Sequence, residues 1–372
     1  MKICYVNPTF LIRRPIMELI RLLNKENEIG IFVPKKPFKK LEGKWHSDES
    51  LSKAKIYSYS AIRVPFSKFE WPIPITPMFF INLFRVFWNY KIVHMWTYFY
   101  INSFFTLLTS LFFPKRKVIM SCDTFPGYSF KSGRVIDSLF FIYTKLFGWM
   151  LFGIPKKIHL YGKSMIEYAK KAGVKEKKIV VVPTGVDIEK FSGAGALDRS
   201  ELGVSNEDFV IVYAGLLVPR KGIDIMLKVV KRLEEGDVKL LLVGDGPKKK
   251  EYIDLAEKLE IRDKVKFLGW RKDIPNILKS ADLLFLPSRG EGLPGIVMEA
   301  MAAGLPIVAS DIPCVPDLVE DGKDGFLCRM NDIECFAEKI KNVNKEMGDK
   351  GAEKIKEFSW DKLIEDYKRL YV

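Results

Sequence analysis

Apolar residues along this chain gather into short continuous runs, and stretches with a helical period separate them. The run Lys2–Val6 reads as a strand, a loop follows, and a helix is predicted over about Pro15–Asn24. A second strand is expected at Ile29–Val33. Residues 34–77 are rich in Pro, Lys and aromatics and show no clear period. Strand-like runs recur at Lys91–Met95, Lys117–Ser121, Lys157–Tyr161 and Ile179–Val182. Helical stretches divide them, Ser164–Lys171 being the clearest. The second half repeats the plan more regularly. Strands are predicted at Phe209–Ala214, Val238–Val243, Val265–Leu268, Leu283–Leu286 and Pro306–Ala309. Helices are predicted at Gly222–Leu233, 248–259, Ile274–Ser280, Ile296–Ala303 and Ile333–Asn344. Continuous Val/Ile/Leu strands are what a sheet covered on both faces requires. Strand–helix alternation predicts parallel sheets, hence two doubly wound α/β domains in tandem. The join is expected near Pro183–Phe191, with domains over 1–185 and 186–350. Residues 351–372 hold a last helix, about Trp360–Tyr371, expected to cross back to the first domain.

A length of 372 residues accommodates two such domains. Apolar content of 48% and charged content of 28% exclude a disordered, collagen-like or disulfide-scaffold chain. The net charge of +14 is unevenly placed. Residues 1–185 carry 30 Lys+Arg against 11 Asp+Glu, and residues 186–372 carry 30 against 35. Of 48 aromatics, 26 fall between Phe66 and Phe152. A basic, aromatic half beside a mildly acidic one points to a polyanionic partner.

The N-terminus runs from strand-like sequence into a turn, with no pattern of a secretory signal. Five scattered cysteines and three separated histidines have no metal-ligand or redox spacing, so reduced thiols, a cytoplasmic setting and no metal are expected. Residues Ile92–Phe113 lack Asp, Glu, Lys and Arg, the length of a membrane span. His94, Asn102 and several hydroxyl residues dilute the segment, and it reads better as a strand followed by a short helix. Val135–Ile154 reads as a core helix or as one lying partly in a membrane interface.

In open α/β sheets, ligands bind beyond the carboxyl ends of the strands. Three loops there carry chemistry. In Gly215-Leu-Leu-Val-Pro-Arg-Lys-Gly222, Arg220 and Lys221 precede a helix, a natural phosphate site. In Gly244-Asp-Gly-Pro247, Gly244 and Gly246 permit close backbone approach. In Ser288-Arg-Gly-Glu-Gly-Leu-Pro-Gly295, Glu291 lies in a glycine-rich loop, and Glu299 follows on the next helix. Backbone amides at that helix start suit a phosphate or sugar hydroxyl, and a carboxylate at Glu299 suits the two hydroxyls of a ribose.

Glu291-x7-Glu299 with its glycine loop resembles the signature of retaining glycosyltransferases of family four, which have the GT-B fold. Pro183-Thr-Gly-Val-Asp187, Leu242–Pro247, Phe267-Leu-Gly269, Ala281–Ser288, Asp321-Gly-x-x-Gly-Phe326 and Phe358-Ser-Trp360 fall in that family's order. The resemblance is dense from about residue 160 onward. It implies two Rossmann-like domains facing a central cleft, the first binding acceptor and the second donor. It implies that Lys221 contacts the donor diphosphate. Glu291, helped by Gly292, Leu293, Pro294 and Gly295, would hold the donor sugar, and Glu299 the ribose. Gly215, Arg220, Gly244 and Gly246 would line the donor site, with Trp270 beside the base. Cations and a helix N-terminus would neutralise the leaving diphosphate without metal or other cofactor. Two departures stand out. Leu216 occupies the place of the family's usual Arg, and Ser121-Cys122-Asp123 stands where a His-Asp pair is common. Asp123 remains as the polar contact near the reacting centre.

No nucleic-acid-binding motif accompanies the basic half. Lys35-Lys36, Lys39-Lys40 and Lys115-Arg-Lys117 together with aromatic helices fit an anionic membrane surface instead. The sequence therefore reads as a retaining, metal-independent glycosyltransferase of hexosyltransferase type, bound peripherally to the cytoplasmic face of a membrane. It would move a sugar from a UDP- or GDP-sugar to a lipid-linked or other glycan acceptor. The alternatives are a soluble acceptor, or a non-catalytic glycosyltransferase-like subunit, which Leu216 and Cys122 motivate. No G-x-G-x-x-G follows the first strand, which argues against a dinucleotide oxidoreductase.

Overall fold

The structure is a computed structural model that describes residues 1–36, 53–63, 72–129, 133–233 and 237–372. Lys39, Lys40 and His46 lie outside the described residues. The chain divides into one unit of Met1–Val182 with Ile364–Val372 and a second of Pro183–Leu363.

The first unit is an eight-stranded sheet in the order β4-β3-β2-β1-β5-β6-β7-β8. Its strands are β1 Lys2–Val6, β2 Glu28–Lys35, β3 Lys55–Arg63, β4 Pro72–Pro74, β5 Ile92–Trp96, β6 Lys117–Cys122, β7 Lys157–Leu160 and β8 Ile179–Val181. All pairings are parallel except β3 with β4. The sequence pattern did not reveal β3 or β4. In β3 the core positions are Tyr57, Tyr59 and Ala61, alternating with Ser58 and Ser60, so no continuous aliphatic run marks it. Helices Arg14–Leu23, Met78–Asn89, Ile101–Ser110 and Arg134–Leu151 connect the strands. The charge-free stretch from Ile92 resolves into β5 and the helix Ile101–Ser110. No helix among the described residues is long and apolar enough to cross a membrane.

The interior of this sheet carries a buried polar chain that no motif in the sequence announces. His159 Nε2 lies 2.6 Å from the Val182 carbonyl, and its Nδ1 lies 2.6 Å from Ser121 Oγ. Ser121 Oγ lies 2.7 Å from His94 Nε2, and His94 Nδ1 lies 2.9 Å from Tyr371 Oη. Tyr371 Oη lies 3.1 Å from Tyr5 Oη. A carbonyl can only accept, so His159 donates to it from Nε2. Every later member is then fixed: Ser121 donates to His159, His94 donates to Ser121, Tyr371 donates to His94, and Tyr5 donates to Tyr371. Tyr371 ends the helix Trp360–Tyr371, whose last carbonyls accept from Lys117 and Lys157, cations placed where a helix C-terminus favours them.

The second unit is an all-parallel six-stranded sheet, β11-β10-β9-β12-β13-β14. The strands are β9 Phe209–Ala214, β10 Val238–Val243, β11 Val265–Gly269, β12 Leu283–Leu286, β13 Ile307–Ser310 and β14 Gly325–Cys328. Helix Ile223–Arg232 shows why the pattern was readable. Ile223, Met226, Leu227 and Val230 are buried along one stripe, while Lys228 and Lys231 face out. One expectation fails here. Cys328, at the end of β14, is disulfide-bonded to Cys335 in the helix Ile333–Lys341, with Cα atoms 5.9 Å apart. The strand end and the first helical turn bring the two residues together across a short loop. Cys4, Cys122 and Cys314 are buried and stand outside the disulfide.

Candidate functional site

In the second sheet, β9 begins the order and the chain steps outward to β10 and β11 on one side. It then returns to lay β12, β13 and β14 on the other side. The connections reverse between β9 and β12, and the crevice beyond that reversal is where such sheets bind ligands. Lys221 lies in the loop after β9, and Glu291 in the loop after β12. Seventy residues apart in sequence, they meet because their strands are neighbours.

Lys221 Nζ lies 2.7 Å from Glu291 Oε1 and 2.9 Å from Oε2. Arg220 reaches the same carboxylate at 3.2 Å and donates to the Gly290 carbonyl. Burial pushes the Glu291 carboxyl up, but Lys221 and Arg220 outweigh it and hold it below the usual carboxylate range. Burial pulls the Lys221 ammonium below its ordinary range, with Arg220 adding to the fall and Glu291 only partly restoring it. Two cations and one carboxylate leave this pocket with an excess positive charge, which suits a diphosphate.

A second pair, which the sequence reading missed, braces the two loops. Arg289 donates to Asp224 Oδ1 at 2.8 Å and to Oδ2 at 2.6 Å, and to the Pro219 carbonyl at 2.6 Å. The Arg289 amide donates to the Arg220 carbonyl at 2.7 Å. Bidentate Arg–carboxylate pairs fix geometry as well as charge. Gly222 completes the brace. It has φ +71°, and a Cβ there would collide with the Pro287 carbonyl oxygen.

The other expected donor residues line the same edge. Gly215 donates to the Val243 carbonyl at 2.9 Å, and Gly244 donates to the Gly269 carbonyl at 2.7 Å. The loops after β9, β10 and β11 are thereby linked in order. Gly244 has φ +131°, and a Cβ there would strike the Gly215 carbonyl. Gly246 lies against Leu217. Trp270 is about half exposed just past β11. Gly292, Leu293 and Pro294 lead into the helix Gly295–Ala302, whose N-terminus has no side-chain cap, so no side chain takes up its first amides. Glu299 is buried on that helix. Leu216 is exposed, and Arg220 supplies the second cation beside Lys221.

Asp123 lies in the first unit. There the connections reverse between β1 and β5, and the loop after β1 carries Arg13. Arg13 forms a close ion pair with Asp123 Oδ2. Asp123 Oδ1 and Thr97 Oγ1 are buried and have no hydrogen-bond partner among the described residues. Thr97, just past β5, has φ +59°, a strained state for a β-branched residue. Burial pushes the Cys122 thiol well above its ordinary range, so it remains a neutral thiol. Among the described residues, no three His, Cys, Asp or Glu side chains converge as a metal site.

Residues 196–359 match the family described as glycosyl transferases group 1. A UDP-Gal:alpha-D-GlcNAc-diphosphoundecaprenol alpha-1,3-galactosyltransferase of Escherichia coli is 37% identical over 174 residues, 45% of each chain. An N-acetyl-alpha-D-glucosaminyl L-malate synthase of Bacillus anthracis is 29% identical over 181 residues, 46% of this chain and 48% of that one. The aligned region thus spans about half the length of these curated relatives. The Anabaena protein HepE, solved with UDP and glucose, superposes with a TM-score of 0.77 at 18% identity over 100% of this chain and 99% of its own. WaaG, a glycosyltransferase involved in lipopolysaccharide biosynthesis, gives 0.68 at 15% identity, covering 99% and 98%. Two Rossmann-like parallel-sheet domains of the GT-B class are the fold these neighbours share with this chain.

Proposed function

We propose that this chain, whose residues 196–359 match the glycosyl transferases group 1 family, is a retaining, metal-independent glycosyltransferase. It moves a sugar from a UDP- or GDP-sugar to a lipid-linked acceptor at an anionic membrane surface. The observation that carries the reading is the convergence of Lys221, Arg220 and Glu291 at the point where the second sheet's connections reverse. As the diphosphate departs, positive charge develops on the anomeric carbon and negative charge on the leaving group. Lys221, Arg220 and the amides at Gly295 neutralise the latter from fixed positions, the arrangement that lowers such a barrier most. A diphosphate draws the two cations to itself, which frees Glu291 to accept from donor-sugar hydroxyls. Glu299 holds the ribose, Trp270 lies beside the base, and Asp123 Oδ1, with its lone pairs unused, accepts from the acceptor hydroxyl.

The E. coli relative names a diphosphoundecaprenol acceptor, and this supports the lipid-linked half of the proposal. The B. anthracis relative names malate, so a soluble acceptor is the second reading. Screening UDP-, GDP- and ADP-sugars for thermal protection tests the donor, since a ligand at a hundred times its Kd stabilises by about 2.7 kcal/mol. Transfer that survives chelator, with product carrying the donor's anomeric configuration, supports the metal-independent retaining reaction. No protection by any nucleotide-sugar, or transfer undiminished in Lys221→Ala, overturns the proposal. Protection without transfer to any acceptor identifies a non-catalytic subunit instead.

A further inference from the structure

We propose that the first unit docks on an anionic lipid bilayer through one continuous apolar face built by three consecutive helices. This rests on the membrane half of the function proposed above and assigns it a surface.

The helix Arg134–Leu151 is apolar on two faces, and the fold uses only one of them. Phe140, Thr144 and Leu151 are buried against the unit. On the opposite side Val135, Leu139, Ile142, Leu146 and Trp149 follow one another at steps of four, three, four and three residues, which is a single helical stripe. All five are exposed, Val135 at 75% and Trp149 at 69%. Arg134 and Lys145 flank the stripe, and Lys145 Nζ lies 5.5 Å from the Phe141 ring. A long cation beside an apolar stripe places its charge at the level of lipid headgroups.

The helix Met78–Asn89 repeats the arrangement. Phe79, Leu83, Val86 and Phe87 are buried, while Phe80, Ile81, Phe84 and Trp88 are exposed, Trp88 at 74%. Between these helices lies Ile101–Ser110, followed by exposed Leu111 and Phe112. Ring contacts join the three. Phe80 lies 5.3 Å from Phe105, Phe84 lies 6.0 Å from Phe112, and Phe104 lies 5.5 Å from Phe147. The exposed residues therefore form one patch, of the kind that marks an interaction site.

Charge selects the occupant. From Trp71 to Cys122 the sequence has no Asp or Glu, yet it carries Arg85, Lys91, Lys115, Arg116 and Lys117. A second copy of this face would bring like charges together. An anionic bilayer matches both the apolar stripe and the cations around it. With no membrane-crossing helix among the described residues, the fit is to lie at the interface.

The test uses the full chain with vesicles of phosphatidylcholine, with and without phosphatidylglycerol, at low and high salt. The expected result is co-sedimentation with the anionic vesicles only, weakened by salt. The double variant Leu146→Glu/Trp149→Glu should bind at least tenfold more weakly while keeping wild-type thermal protection by nucleotide-sugar. Vesicle binding unchanged in that variant overturns the proposal, as does wild-type protein that ignores anionic vesicles. A concentration-dependent dimer that the variant abolishes also overturns it, in favour of a second copy as the occupant. Nucleotide-sugar protection without vesicle binding would sink the docking face alone. Vesicle binding without any nucleotide-sugar protection would sink the transferase reading alone.

Discussion

Replacing Glu291 by Gln keeps the side chain's shape and removes the charge that Lys221 and Arg220 share. The carboxylate is 6% exposed and Lys221 15%, so the pair belongs to the buried class rather than to the weak surface one. Removing one partner of such a pair costs roughly 3–5 kcal/mol, because the other charge is left buried and uncompensated. The Gln amide oxygen still accepts a hydrogen bond from Lys221, which places the cost near the lower end, about 3 kcal/mol. For a unit of this size each kcal/mol is about 2–4 °C, so a melting point lower by about 6–12 °C is expected. Binding should change in a particular way. A hydrogen bond to a charged group contributes about 1.5–3 kcal/mol, so Glu291→Gln should lose roughly 10- to 150-fold in affinity for the nucleotide-sugar. Affinity for the bare nucleoside diphosphate should stay or rise, because Lys221 and Arg220 are released to it. Lys221→Ala should weaken both ligands together. Calorimetric titration of each variant with the diphosphate and its sugar conjugate, beside scanning fluorimetry, reads both effects. Should Glu291→Gln melt within a degree of wild type and still prefer the sugar conjugate as wild type does, the assignment of Glu291 to the sugar is wrong.

Gly222→Ala should destabilise the second unit by roughly 1–3 kcal/mol, since Ala pays for φ +71° and meets the Pro287 carbonyl, and nucleotide protection should fall with it. His159 is pulled by burial from 6.5 to about 4, so between those values the unfolded chain binds the proton and the folded one does not. Stability should therefore rise with pH across that window, by about 3 kcal/mol in all, and urea titrations of wild type and His159→Gln at several pH values should show the slope flattened in the variant. Reduction of the Cys328–Cys335 disulfide, which closes a loop of seven residues, should cost about 2.5 kcal/mol. Because β14 is the sheet edge, three strands from β9, fluorimetry with reductant should show a lower melting point and an intact nucleotide-induced shift.

What the sequence revealed divides along physical lines. Lys221, Glu291 and the glycine loops were legible because strand ends, turns and helix starts are written locally, and the order of a doubly wound sheet then carries distant loops to one edge. Arg289 and Asp224 were not legible. Each reads as an ordinary surface charge, and their pairing depends on a helix start and a loop 65 residues away meeting at a backbone position that only Gly222 allows. The same holds for His94, Ser121 and His159, which sit singly on three strands and form a chain only once the strands are in register. Strand β3 and the helix Lys345–Ile355 escaped for a different reason. Their buried positions are Tyr57, Tyr59 and Ala61 in the one, and Met347, Gly348, Gly351 and Ile355 in the other, so neither shows a run of aliphatic residues.

The net charge of +14 hides two local fields that salt can separate. At the second unit's reversal point the positive charge is small and held at short range by fixed carboxylates. Lys221 is largely buried, the exposed Arg220 is held by Glu291 and the Gly290 carbonyl, and Arg289 is neutralised by Asp224. Its attraction for a diphosphate acts at hydrogen-bond distance, so salt screens it less than a field that acts across several ångströms of solvent. On the first unit, Arg85, Lys91, Lys115 and Lys145 stand exposed around apolar side chains. Those charges act over about 8–10 Å at ordinary ionic strength and only about 3 Å at 1 M salt. Raising salt from 0.1 M toward 1 M, both values on that same scale, should release the protein from anionic vesicles while leaving nucleotide-sugar protection nearly unchanged. Parallel loss of both would mean that one diffuse field serves both ligands, and that the division of charge between the two units carries no function.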